Sequence, residues 1–349
     1  MAVTKKFNID DLKREAKVYD PVVKTLAAYS LSQVLTLMKI NLVPVANESV
    51  LVNARRKAGL LRPYAPGQTV VYAGEIGKFT EMPLKPELVV SVLKDNITLY
   101  KEKYLLSNSG ETLDLKSKKH PLEKYILDSV VTSVGEDVIF SMFFAERDVN
   151  VASPLTAFNG FFPKLDELEV AGTISAGEKN LLTSGVFDMP VDEDDTDSYD
   201  KLVDWIGSGH PMLRASIGGS PLLYIAQSVI KAARAALRNK LKNFDYPSTA
   251  KLLEHLREDS FCPGLDFVSH ECYGTGNKLI LIKPGLIDFG YNYDKSDQYV
   301  QVRDPYEDPN DVQFWLESAY DTRFRDVHQK VFQTNEQVNT GVDLAGDYV

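Results

Sequence analysis

Asn53–Phe79 reads NARRKAGLLRPYAPGQTVVYAGEIGKF. It holds four Gly, two Pro and basic residues at Arg55, Arg56, Lys57, Arg62 and Lys78, and its apolar residues follow no sustained helix or strand period. Connections longer than about 15 residues are uncommon inside a domain unless they have a task or lie outside the globule. The flanks, in contrast, are patterned. VLVN (Val50–Asn53) reads as a strand entering the segment, and ELVVSVLKDNITLYKEKYLL (Glu87–Leu106), rich in β-branched and aromatic residues, reads as extended structure. The segment is an excursion between two ordered parts.

Upstream, Ile9–Val18 reads as a short charged helix. Asp20 caps a second helix with Pro21 at its first position, where a missing N–H does no harm. Val23, Leu26, Ala27, Leu31, Val34, Leu35 and Met38 give that helix an apolar face that needs burial along most of its length. Downstream, the polar connector SNSGETLDLKSKK leads to the best helical pattern in the chain, Pro121–Glu146. Leu122, Ile126, Val130, Val134, Val138 and Met142 form one i+4 row, broadened by Tyr125, Val131, Ile139 and Phe143. Gly135 is costly there relative to Ala, which points to a bend or close packing. Such a helix would be about 40 Å long, a spine.

Beyond the spine, SPLTAFNGFFPKLDELEVAGTIS is expected to be a turn-rich passage ending in a short strand. VDEDDTDSYD (Val191–Asp200) is an acidic loop leading into an amphipathic helix through Leu202, Trp205 and Ile206. PLLYIAQ (Pro221–Gln227) reads as a buried strand, followed by the helices SVIKAARAALRNKLKN and TAKLLEHLRED. NKLILIKPGLIDFGYNY and YVQVRD read as strands broken by turns, and DVQFWLESAYDTRFRDVHQKVFQTNE as a β pair. No repeat, low-complexity tract or Pro/Ser-rich linker cuts the chain, so the class is α+β with intermixed subdomains.

The 349 residues, 44% hydrophobic, can bury a large core. No apolar run reaches membrane-spanning length and the start lacks the apolar stretch of a signal peptide, so a soluble protein made in the cytoplasm is expected. Cys262 and Cys272 match no zinc spacing and are expected to be inert buried thiols. The net charge of -10 argues against nucleic-acid binding by the whole surface. Charge is uneven, however: residues 1–60 hold ten Lys/Arg against five Asp/Glu, and Asp304–Val349 ten Asp/Glu against three Lys/Arg. Copies packing against one another would suit this pattern, and so would plain solvated surface.

Signs of catalysis are weak. GTGNK (Gly274–Lys278) lacks the spacing of a phosphate loop and precedes a strand, so it reads as a turn; SIGGSP (Ser216–Pro221) lacks the Gly-x-Ser-x-Gly elbow and reads as a loop. Asp192–Asp197 lacks the Gly and closing Glu of a calcium loop, and reads as a solvated loop or a charge partner for a neighbour. His120, His210, His255, His270 and His328 form no local metal pair. The basic helix Ser228–Asn243 lacks the interleaved aromatics or second helix of a nucleic-acid reader; it reads as a solvated face or one opposing acidic groups.

The order of parts carries more than any motif: a basic helical arm, the Gly/Pro-punctuated excursion, an extended segment, the spine, a mixed region with LLYIAQSVIKAARAALRN, and a β-rich tail. In this order the chain resembles the major capsid proteins of tailed bacteriophages, the Hong Kong 97-type or Johnson fold. FFPKLDEL after the spine is similar to the Asn-Gly/Phe-rich turn of that family, and GNKLILIKPGLIDFGYNY to its late strand passage.

The resemblance implies an N-terminal arm at Met1–Ile40 and an extended loop at Asn53–Val90. It implies a peripheral domain from Ser91–Arg147, with the spine helix over 121–146, completed by C-terminal strands at about 291–349, and an axial domain over Ser153–Gly290. It implies a non-enzymatic shell subunit forming pentamers and hexamers of an icosahedral head, in the virion and assembled in the host bacterial cytoplasm. Implied partners are other copies, a portal and packaged double-stranded DNA, with no cofactor, metal or membrane. Several family members begin with a fused helical scaffold; here the presumed arm starts at the first residues, so a separate scaffolding protein, or assembly without one, is expected. Lys57 and Lys78 lie in the loop, but no acceptor Asn or catalytic carboxylate identifies a cross-link. Arg55, Arg56, Lys57 and Arg62 are expected to meet carboxylates of another copy, and Lys78, Asp192, Asp194 and Asp195 are further candidates for contact between subunits. Two other readings remain: an encapsulin-like compartment of the same fold, and a metal-assisted hydrolase using Asp192–Asp197 and the scattered histidines.

Overall fold

In the computed structural model, which describes residues 31, 33–56, 77–96, 122–242, 245–292, 300–303 and 311–341, the chain enters its core through the end of a helix. Residues 33–37 are helical, and Leu31, Leu35 and Met38 are buried. Lys39 stops the helix at φ 55, which lets the Ile40 N–H reach the Leu35 carbonyl at 2.8 Å. The Tyr224 hydroxyl then donates to the Met38 carbonyl at 2.5 Å, tying this end to the body of the protein. Val23, Leu26 and Ala27, expected on the same face, lie outside the described residues.

Strand β1 (Asn41–Pro44) comes next, then β2 (Ser49–Arg56) and β3 (Gly77–Leu84). These two pair antiparallel, from Ser49 opposite Leu84 to Arg56 opposite Gly77, so the two ends of the excursion lie side by side as the base of a hairpin, with residues 57–76 outside the described residues. Lys85 and Pro86 lead directly into β4 (Glu87–Asn96).

Helix α1 (Leu122–Ser141) has 20 residues and ends short of the expected Glu146. Its Val130, Val134, Val138 and Ile139 are buried as the apolar row predicts. The helix stops because the carbonyls after it are claimed elsewhere. Met142, Phe143 and Ala145 accept the N–H groups of Phe161 (3.0 Å), Phe162 (2.9 Å) and Gly160 (2.6 Å), which open helix α2 (Phe161–Val170). First-turn donors that α2 cannot satisfy itself are thereby paired. The contact requires glycine, since a Cβ on Gly160 would lie 2.7 Å from the Met142 oxygen.

Helix α2 corrects the expectation of a turn-rich passage ending in a strand. Pro163 falls in the first turn, where its missing N–H has no partner to lose. Phe161 and Leu165, one turn apart, are buried. Next come α3 (Asp197–Gly207) and a short α4 (Pro211–Arg214), then β5 (Leu222–Ile225), α5 (Gln227–Leu241) and α6 (Thr249–Asp259). All but α4 were legible in the pattern. Eight strands follow among the described residues: β6 (Asp266–Val268), β7 (Thr275–Gly276), β8 (Leu279–Ile282), β9 (Ile287–Asn292), β10 (Val300–Arg303), β11 (Asp311–Phe324), β12 (Phe332–Thr334) and β13 (Asn339–Thr340), which pairs with β7.

Strand β11 organises the first sheet. Its residues 313–316 are held between β10 and β4, its far half pairs with β9, and β1 lies parallel to β9 beyond. The second sheet runs β12-β8-β5-β6, and β5 and β8 are buried at every position. The expected β pair over Asp311–Glu336 is therefore two strands in different sheets. RDVHQK, which looks like a hairpin turn, is the crossover: there Asp326 and His328 accept the N–H groups of His328 (2.9 Å) and Lys330 (3.2 Å).

Aromatic contacts weld the two sheets into one core. Phe158 packs on Phe289 and Tyr320 of the first sheet, Phe161 meets Phe324 at 5.6 Å, and Phe324 meets Phe332 of the second at 5.7 Å. Phe143, Phe162 and Tyr273 close the cluster at 5.1–5.4 Å, beneath the end of α1.

Candidate functional site

The hairpin β2–β3 has two unlike faces. Across the register, Leu51 pairs with Met82 and Ser49 with Leu84, and this side is seated, with Met82 and Leu84 buried. Leu84 rests on Gly290 of β9, where a Cβ would come within 2.9 Å of it. The opposite side carries Val50, Val52 and Phe79, which are 46%, 57% and 69% exposed. Exposed single apolar residues need no explanation, but a row of three on one face of a two-stranded ribbon does.

Polar groups hold the root of the hairpin to the first sheet. Asp288 on β9 is fully buried and faces Arg323 across the β9–β11 register. Arg323 donates through Nη2 at 2.6 Å and Nε at 3.2 Å, Arg325 through Nε at 2.7 Å, and Asn41 through Nδ2 at 3.1 Å. One step along β11, the Asp321 carboxylate accepts the N–H of Lys85, in the link between β3 and β4, at 2.7 Å. Burial pushes the Asp321 carboxyl up to about 6 despite that bond, with Glu87 adding to the rise and Lys164 opposing it. Glu87 itself pairs with Arg147 at 2.5 Å, tying the start of β4 to the loop after α1.

Another apolar surface adjoins this region. A groove of about 510 Å³ lies between β4, α1 and the loop after it, and is lined by Leu88, Val90, Val92, Val138 and Val151.

The basic residues predicted for contact are only partly placed. Arg55 stands opposite Lys78 and Arg56 opposite Gly77 at the far end of the described hairpin, while Lys57 and Arg62 lie outside the described residues.

Asp192, Asp194 and Asp195 are gathered in one loop, where the Asp192 and Asp195 carboxylates turn toward the loop's own backbone. Asp195 accepts the N–H groups of Val191 (2.9 Å) and Asp197 (3.0 Å), and these bonds hold its carboxyl below the usual carboxylate range. Asp192 accepts the Asp194 N–H at 3.1 Å, and Asn239 of α5 donates to the Asp192 and Asp195 carbonyls at 2.8 and 3.0 Å. Among the described residues no group of three or more His, Cys, Asp or Glu is placed to hold a metal ion. His210 and His270 cap short helices, accepting the N–H groups of Met212 and Cys272.

The other motifs also have structural roles. In α5, Lys240 pairs with Asp200 at 2.9 Å, and Arg234 and Arg238 lie over the Tyr246 ring at 5.6 and 5.2 Å. GTGNK, expected to be a turn, instead contains the short strand β7, which pairs with β13, and its Gly274 and Gly276 have positive φ. Cys262 and Cys272 are buried free thiols, pushed by burial to about 11 and about 12. The polar grip on the hairpin root was not legible in the sequence, because its members come from β1, β2, β3, β9 and β11.

No family model matches the sequence, and no curated protein does. Solved structures do match in fold. The subunit of the satellite phage P4 procapsid, solved with its size-determination protein Sid, aligns with a TM-score of 0.52 at 14% identity, over 90% of this chain and 90% of that one. The capsid of Myoviridae phage XM1 aligns with a TM-score of 0.50 at 10% identity, over 88% of this chain and 91% of that one. The chain thus has the mixed α+β fold of phage capsid proteins.

Proposed function

We propose that the protein is a shell subunit, a major capsid protein that assembles with copies of itself into an icosahedral phage head. The observation that carries this reading is the shared fold, which spans nine-tenths of both chains in the P4 procapsid match. The hairpin supports it. A ribbon seated on one face, with Val50, Val52 and Phe79 open on the other, is completed by a second molecule.

On this reading the hairpin is the base of the extended loop within Asn53–Val90, and residues 1–40 form the N-terminal arm. Helix α1 and the β11 sheet belong to the peripheral domain, and the β5–β8 sheet with α3, α5 and α6 to the axial domain. Arg55, Arg56, Lys57, Arg62 and Lys78 meet carboxylates of a neighbouring copy, with Asp192, Asp194 and Asp195 among the candidates. The extended loop lies over the neighbour, with the groove beside β4 as its apolar seat. Heterologous contacts of this kind close into rings, and many weak contacts engaged together make a stable shell. A scaffolding protein, a portal and double-stranded DNA inside the shell are the partners such a subunit takes.

Sedimentation velocity over a range of concentrations tests the proposal. Ring-sized or shell-sized species that grow with concentration are expected. A single monomer boundary at high concentration, with the Asn53–Val90 segment resistant to protease, would contradict it.

A further inference from the structure

The Asp288–Arg323 pair is an expensive way to fill a core. Both side chains are nearly or wholly buried, at 0% and 4% exposure, and a buried ion pair commonly contributes less stability than well-packed apolar residues of the same volume. What it adds is direction. Arg323 has five N–H donors in a rigid plane, and Asp288 uses only one edge of it. The remaining amino group, Nη1, turns to the hairpin and donates to the Ser49 carbonyl at 2.9 Å, with a longer contact to the Met82 carbonyl at 3.4 Å. Those carbonyls belong to different strands of the hairpin root. Neighbouring bonds complete the grip: the Lys85 N–H on Asp321, and the Asn53 side-chain amide on the Arg325 carbonyl. Asp288 is fixed in turn by Asn41 of β1 and by Arg325.

We propose that Arg323, oriented by Asp288, is a positioning residue that sets the angle at which the hairpin leaves the subunit. The inference rests on the shell reading for its purpose, because a projecting arm must aim at its neighbour. Each described hairpin strand is about 25 Å long, so a tilt of about 10° at its root displaces the far end by about 4 Å. That exceeds a hydrogen-bond length. Apolar side chains at both positions would fill the same space but could not hold two carbonyls at a fixed angle.

The test uses the full chain with Asp288→Leu/Arg323→Met, and separately Arg323→Lys. The lysine keeps a charge for Asp288 but cannot serve the hairpin carbonyls at the same time. For both variants the chemical-unfolding midpoint is expected to stay close to that of the unmodified protein. Amide hydrogen exchange in segments 49–53 and 80–85 is expected to rise at least tenfold, with the rest of the first sheet unchanged. Assembled material is expected to lose uniformity in electron micrographs. Unchanged exchange at the hairpin root, or uniform particles despite faster exchange, overturns the proposal. So does a global loss of stability in both variants, which would mark the pair as structural. If the unmodified protein does not assemble, the shell reading fails by itself, and the exchange comparison still decides whether Arg323 holds the hairpin.

Discussion

Gly160 and Asp321 are the residues on which local physics can be checked most sharply. Gly160→Ala would place a methyl group 2.7 Å from the backbone oxygen of Met142, with no flexible side chain to yield. We expect a loss of about 1–3 kcal/mol in urea unfolding, because the α1–α2 junction must open to accept it. The Asn-Gly pair was visible in the sequence as a turn, but its reason was not, since Met142 and Phe143 looked like the continuation of a helix. Asp321 gives a pH dependence of unusual sign. Its folded pKa of about 6 lies above its ordinary value of 3.8, so the folded protein holds this proton more tightly than the unfolded chain does. The stabilisation from protonating Asp321 is complete below about pH 4 and is lost as pH rises through about 6, an effect of up to about 3 kcal/mol. Lys164, Glu87 and the N–H groups of Lys85 and Thr322 face this carboxylate. Asp321→Asn keeps an oxygen for the Lys85 N–H and is expected to unfold later than the unmodified protein at pH 7, with the gap closing toward pH 4.5. A gap that widens on acidification would contradict the burial argument.

At the scale of elements, the glycines, prolines and basic residues of Asn53–Phe79 read as an excursion between ordered parts. The structure describes its two ends, β2 and β3, paired antiparallel, while residues 57–76 lie outside the described residues. The register was not legible, so the division into a seated and an open face came only with the structure. Phe79→Asp and Val52→Asp change exposed positions, and each is expected to shift subunit stability by no more than about 0.5 kcal/mol. Both should nevertheless reduce assembly strongly, measured by light scattering at matched concentration. Normal assembly would mean that this face stays open in the particle. Helix α2 and strand β12 show where pattern reading failed. The passage holding FFPKLDELEV read as turn-rich and ending in a strand, although Pro163 falls in a first turn, which accepts it. The apolar residues on either side of RDVHQK looked like partners, although Phe332 pairs with Ile282 of another sheet. Which sheet receives a strand depends on contacts distant in the sequence, and local alternation does not encode them.

For the whole molecule, the order of parts was more informative than any motif. An arm, an excursion, a spine helix, a buried strand with its helix and a β-rich tail together pointed to the fold that the solved capsid structures share over nine-tenths of the chain. Catalytic signatures gave no such signal, and the described acidic loop and His210, His270 and His328 serve their own backbone. A single aromatic core is shared by both sheets, and the root of the hairpin is bonded to the first of them. On the proposed function, a body of this kind with an arm on its surface is suited to repeating contacts. Electron microscopy of the purified full-length protein, alone and co-expressed with its scaffolding protein if it uses one, tests this account most directly. Closed rings or shells of uniform subunits, with each hairpin lying across a neighbouring copy, are the predicted result. Dispersed single molecules at every concentration, or assemblies in which the hairpin touches no other copy, would contradict it.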